Sequence, residues 1–262
     1  MNMEIKKRLL ELWDKYFNGH ELPFVLMYSQ DPLNSVKVSP ENNNDCLIYT
    51  VSHARAGKNI YIESDSLDCS GAKRSLGFDT GTNPLSAFLV SNCNNTEKIG
   101  KKCKKKSIKI HEWLEQLPAI QAPAPKAIFK RWDRIEEGDE PKVVICFADP
   151  NELSALFTLA NFEESNPYTV KAPFCPGCAS LTMFPMQEKF SPNPRPIVGM
   201  FDVSTRPYIP QSTFSFAIPF EKFEYMIENM DNSFLSHDMW NKVQIRYTYP
   251  SARKYPRLRC HL

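Results

Sequence analysis

Residues Val143-Val144-Ile145-Cys146-Phe147-Ala148-Asp149-Pro150 decide how this chain is read. The apolar run, rich in β-branched residues, makes a buried strand over 142–147. Asp149-Pro150 ends the strand and opens a helix. Asp149 supplies an oxygen for the orphan amides of the first turn, Pro150 has its φ preset for the first helical position, and Glu152 completes a capping box. Leu153, Leu156, Phe157 and Ala160 then recur at helical spacing, the inner face of a helix over 151–162.

The same signal occurs once more. Val25-Leu26-Met27-Tyr28-Ser29-Gln30-Asp31-Pro32 is again an apolar run closed by Asp-Pro. A helix over 46–56 follows it after a polar loop, with Asp45 as N-cap, an inner face of Leu47, Ile48, Val51 and Ala54, and Gly57 past its end. A strand comes next in each half, at 59–62 and at 168–170, and then a cysteine turn: Cys69-Ser70-Gly71-Ala72 beside Cys175-Pro176-Gly177-Cys178. This order reads as an internal duplication. The expected fold class is α+β: two related α/β lobes, 1–121 and 122–262, joined near Ala122-Pro123-Ala124-Pro125, with a cysteine site between them.

The rest fits around these units. Ile5, Leu9, Leu12, Trp13 and Tyr16 form one face of a first helix that stops at Gly19. Segment 91–110 carries Cys93, Cys103 and six lysines between Lys101 and Lys109; without interleaved aromatics it reads as a solvated loop rather than an anion or nucleic-acid patch. Strands are expected over 197–202 and 213–218, and helices over 111–117, 220–230 and 236–243.

Composition sets the outer bounds. With 262 residues, 42% apolar and 24% charged, the chain is long enough for one large domain or two lobes. A net charge of +2 gives no case for nucleic-acid binding through overall charge. Its apolar runs are far shorter than the ~20 residues a membrane helix needs, and the charged residues 1–15 hold no signal-peptide core. A cytoplasmic location is therefore expected. Disulfides are rare there, so the eight cysteines read as ligands, reactive thiols or small buried hydrophobes. The Walker, Gly-x-Gly-x-x-Gly, His-Glu-x-x-His and Gly-x-Ser-x-Gly motifs are all missing.

Cys46, at a helix start, Cys69, Cys175 and Cys178 are the four candidate ligands. Four thiolates suit zinc or an iron–sulfur cluster. A zinc ribbon draws on two close pairs and this chain has one, so scattered ligands favour the cluster. Thiol–disulfide exchange is a second reading: strand, helix, strand and Cys-x-x-Cys resemble a thioredoxin-like unit, with Cys175 as nucleophile, Cys178 as resolving thiol and Pro210 as a cis-proline. It gives Cys46 and Cys69 no role, and Pro185 interrupts its long helix. A metal-free small-molecule binding protein with packing cysteines is the third. His53, seven residues after Cys46, reads as an ordinary helix residue, and Asp202 with Arg206 as a structural turn bridge rather than an anion site.

Taken in order, several features resemble the domain of unknown function 169 family of archaea and bacteria. They are Cys46 opening a helix with Arg55-x-Gly57, Cys69-x-Gly71-Ala72 before Leu76-Gly77, Gly177-Cys178, Asp202-x-x-x-Arg206, and Phe216-x-Ile218-Pro219-Phe220 before a helix. The resemblance covers residues 5–247. It implies no established activity; what it implies is an anaerobic setting, a metal or iron–sulfur protein, and Cys46, Cys69 and Cys178 as the carried-over ligands. The leading expectation is thus an iron–sulfur protein, [4Fe–4S] in type, with a redox, sensing or substrate-binding role. Its partner would be a redox protein or a small-molecule substrate, with a homo-oligomer allowed.

Overall fold

The computed structural model describes residues 1–38, 46–79 and 107–248. Its frame is one sheet of seven strands: β1 (Phe24–Ser29), β2 (Val36–Lys37), β3 (Ile60–Ile62), β4 (Lys126–Arg131), β5 (Val143–Ala148), β6 (Ile197–Gly199) and β7 (Phe214–Pro219). Their spatial order is β2-β3-β4-β1-β5-β7-β6. The β2–β3 pair is parallel and every other neighbouring pair is antiparallel. The fold is thus mixed α/β, with the two Asp-Pro strands paired at its centre, Val25 opposite Val144.

The expected boundary at 121/122 falls before β4, and β4 pairs with β1 and β3. Strands from both expected lobes therefore lie in one sheet. The helices are α1 (Met3–Tyr16), α2 (Leu47–Thr50), α3 (Ser52–Arg55), α4 (Ser70–Ser75), α5 (Ser107–Glu115), α6 (Pro150–Ala160), α7 (Gly177–Leu181), α8 (Met183–Glu188), α9 (Phe220–Asn229) and α10 (Asp238–Thr248).

Strand alternation divides them between the two faces. On the first face, Val25, Val144, Cys146 and Phe216 meet Leu9 and Trp13 of α1, Leu156 and Leu159 of α6, Phe223 of α9 and Trp240 of α10. On the second, Phe24, Leu26, Phe129, Ile145 and Phe147 meet Leu47 and Ile48 of α2, Ala54 of α3, Ala72 of α4, Leu181 of α7 and Met186 of α8. Helices cover both faces, which is why β1 and β5 are apolar on both sides.

The first face carries long helices that begin as the sequence predicts. Asp149 accepts hydrogen bonds from the amides of Asn151 and Glu152 at the start of α6, and Asn2 accepts from Glu4 at the start of α1. Lys130 of β4 is fully buried; its ammonium lies 2.9 Å from the Asp139 carboxylate and 3.1 Å from that of Glu136.

Two expectations change on the second face. The helix over 46–56 is two short pieces, α2 and α3, joined at Val51. Thr50 and Val51 are adjacent β-branched residues, poor at holding a continuous helix. Gly57, at φ +87°, ends α3 in the left-handed conformation, with the Lys58 amide donating to His53 O. The strand over 168–170 reduces to a single bridge between Lys171 and Ile197, because Pro173 has no N–H to extend a ladder.

The second change reaches the duplication. A twofold that relates antiparallel β1 and β5 runs through the sheet and keeps each face on its own side. Helix α6 lies on the first face and α2–α3 on the second, so these two do not correspond. The cysteine-turn helices α4 and α7 do lie on one face, and they pack together.

Candidate functional site

Three short helices of the second face begin at the candidate cysteines. Cys46 is the N-cap residue of α2 and Cys69 that of α4, both with extended backbone. Pro176 caps α7, which places Cys178 in the first turn and Cys175 just outside it. No side chain caps any of the three, so their first-turn amides are not spent on a capping oxygen. Helix α7 packs against both α4 and α2.

The seam between α4 and α7 is hydrogen-bonded. Ser75 Oγ stands 3.2 Å from Cys178 Sγ and 2.7 Å from Gly71 O. Cys178 Sγ is 3.8 Å from Gly71 O, and Thr182 Oγ1 donates to Ser75 O at 2.6 Å. The buried Tyr28 hydroxyl of β1 holds the end of α4 by donating to Leu76 O at 2.9 Å; burial pushes its phenol well up.

Small residues allow α7 to sit this close. A Cβ on Gly199 of β6 would fall 2.0 Å from Ser180 Oγ, and one on Gly177 would fall 2.6 Å from Thr205 Cγ2. Met200 next to Gly199 is at φ +70°, a left-handed position unusual for a side chain of its size, and turns the chain over Gly177. Arg206 then stitches the turn: its guanidinium donates to Thr213 O at 2.7 Å, and to Gln211 O. Asp202 accepts from the amide and hydroxyl of Ser204. Asp202 and Arg206 thus each hold the turn through bonds of their own, and Thr205 between them lies against Gly177 of the cysteine helix.

The four candidates do not share one environment. Cys46 and Cys178 are half-buried at the edge of the second-face core, and Cys69 is exposed. Cys175 is buried in a separate small cluster with Leu114, Leu117, Ala179 and Met183. Burial pushes its thiol far up, and Cys178 and Asp202 push it further. Trp113 Nε1 donates to Phe174 O at 3.0 Å and fixes this cluster beside the turn. Cys146 lies deep in the first-face core, where burial likewise raises its thiol. His53 packs its ring against Tyr49. Cys93, Cys103, Cys260 and residues 101–106 of the lysine-rich segment lie outside the described residues; Lys109 pairs with Glu112 at 2.6 Å.

Two features of the thioredoxin-like reading are missing from the described residues. No peptide bond is cis, Pro210 included, and the cysteine helix breaks after five residues at Thr182, before α8. Ser75 is the site residue that sequence reasoning missed. Its bond to Gly71 O four residues back is a local pattern legible in the sequence, whereas its contact with Cys178 spans 103 positions.

Among the described residues no three His, Cys, Asp or Glu side chains stand where they could hold one metal ion, and no helix is long and apolar enough to cross a membrane. The nearby donor set is thiol in kind, in reach of a hydroxyl donor and uncapped helix amides. That chemistry fits an iron–sulfur cluster, whose irons are spread over a larger volume than one ion.

Fold and site together define a mixed α/β protein with a cysteine-bearing layer of short helices on one face of its sheet. The chain belongs to the domain of unknown function 169 family, described as an uncharacterised ArCR, whose match covers residues 24–229. Comparison with curated proteins and with solved structures gives no match.

Proposed function

We propose that this protein binds an iron–sulfur cluster, [4Fe–4S] in type, at the starts of α2, α4 and α7, with Cys46, Cys69 and Cys178 as its protein ligands. The observation that supports the reading is the packing of α7 on α4 and α2, three helices on one face that each have a candidate cysteine at or next to their first residue. Cys175 is the odd member of the original four. Its burial among Leu114, Leu117, Ala179 and Met183 supports a packing role and leaves one cluster iron for a non-protein ligand.

When bound, such a cluster supplies one-electron chemistry and a Lewis-acidic iron. The chain's own residues provide the rest. Ligand thiols must lose their protons on binding such a cluster. Glycines 177 and 199 hold α7 against the sheet so that Cys178 keeps its place. The role is redox, sensing or the binding of a small molecule at the free iron. The two halves of the chain each contribute to this site, Cys46 and Cys69 from the first and Cys178 from the second, as a duplicated cysteine turn would require.

Iron, acid-labile sulfide and zinc analysis of protein purified without oxygen tests the reading. A brown protein with about four irons and four sulfides per chain is expected. A colourless, iron-free protein overturns it, and one equivalent of zinc in its place promotes a structural metal site.

A further inference from the structure

We infer that Ser75 is a positioning residue of the thiol site, whose hydroxyl donates to Cys178 Sγ and thereby raises the reduction potential of the cluster held there. The inference rests on the iron–sulfur reading and adds to it the chain's own means of tuning that cluster.

Ser75 Oγ is fully buried and carries one proton with two acceptors in reach, Gly71 O at 2.7 Å and Cys178 Sγ at 3.2 Å. Against a neutral thiol, the carbonyl is the better acceptor. Against a sulfur that has lost its proton to a metal, the balance reverses, because a charged acceptor draws the stronger hydrogen bond. The proton then turns to Cys178. The Ser75 carbonyl accepts from Thr182 Oγ1 at 2.6 Å, and Thr182 Oγ1 also lies 3.0 Å from Cys178 O, so the seam holds a second hydroxyl that does not bond to the sulfur. Helix α4 therefore supplies a ligand at its start, Cys69, and a donor to a second ligand at its end. A donor to a ligating sulfur favours the reduced cluster, which carries more negative charge.

Three variants of the full chain, purified without oxygen, separate this role from a structural one: Ser75→Ala, Ser75→Thr and Thr182→Val. Thr182→Val removes the other hydroxyl of the seam without touching the sulfur. Midpoint potentials are read by dithionite titration of the visible spectrum against redox mediators. Ser75→Ala is expected to lower the reduced-to-oxidised ratio at fixed potential by about tenfold, which is about 59 mV for one electron. Ser75→Thr, which keeps the hydroxyl, should stay within about threefold of the parent, and Thr182→Val should leave the potential in place while lowering the melting temperature. If Ser75→Ala is not recovered, Ser75→Gly removes the same donor. An unchanged potential without the hydroxyl overturns the inference, as does an equal shift in Thr182→Val. Iron-free parent protein overturns both this inference and the function beneath it; an intact cluster with an unmoved potential overturns this inference alone.

Discussion

The two faces of the sheet are built differently. The first is covered by long helices: α1 with 14 residues, α6 with 11 and α9 with 10. The second is covered by pieces of four to six residues: α2, α3, α4, α7 and α8. Helices that short do not stand alone in water, because nucleation costs more than one turn returns. They persist through what they pack against. The first face is thus a scaffold, and the second spends its helix ends on placing thiols. A helix start without a capping side chain gives up about 1 kcal/mol of stabilisation and leaves amides pointing at whatever lies in front of them. At Cys46 and Cys69 no side chain accepts from them.

This contrast can be broken from the scaffold side first, where the largest effect is expected. Lys130→Met leaves the Asp139 carboxylate, 3% exposed, buried without its ammonium. A loss of about 3–5 kcal/mol in urea unfolding is expected. Gly199→Ala comes next. A methyl 2.0 Å from Ser180 Oγ must lift α7 from β6, at a cost of about 1–3 kcal/mol. Its distinguishing outcome is a loss of iron out of proportion to the loss of stability, because α7 carries Cys178.

Capping gives a sharper comparison. Asp149→Ala should cost about 1 kcal/mol in thermal unfolding, since two amides of α6 lose their acceptor. Cys69→Ala, at the start of α4, should change stability of the metal-free protein by less than about 0.5 kcal/mol, because the exposed thiol caps nothing. Equal costs at the two positions would erase the distinction between the faces.

The smallest effect concerns pH. Hydrogen bonds from Lys15 and then Tyr16, with Arg8 nearby, hold Asp231 at about 2 against an ordinary 3.8. A depressed carboxylate contributes stability above its ordinary value and loses it as pH falls toward the folded value. The urea midpoint should therefore fall less steeply from pH 4 to pH 2 in Asp231→Asn than in the parent. The difference is small, because the site faces solvent.

The scaffold was the legible part. Val143 to Pro150 and the stripe from Leu9 to Tyr16 carry local signals, period and cap, that do not depend on distant contacts, and β5, α6 and α1 follow them closely. The Phe216–Phe220 stretch likewise becomes the end of β7 and the start of α9. The sheet was not legible as one. An Asp-Pro signal says that a strand ends, not which strand it pairs with, so two strands that looked like the cores of two lobes pair with each other. The site was legible by residue type and not by environment. Cys175 and Cys178 are three positions apart, yet Cys178 edges the second-face core and Cys175 belongs to a different cluster, because successive positions around a helix start point in different directions. Ser75 was hidden for the opposite reason: its importance comes from a partner in the other half of the chain.

Cys178 and Cys175 thus have different roles at the start of α7 under the proposed function. Iron and sulfide content of Cys178→Ser and Cys175→Ser, both purified without oxygen beside the parent, measures this difference directly. Cys175→Ser is expected to keep the parent's iron while Cys178→Ser loses nearly all of it. Equal loss in both variants, or no iron in the parent, would contradict it.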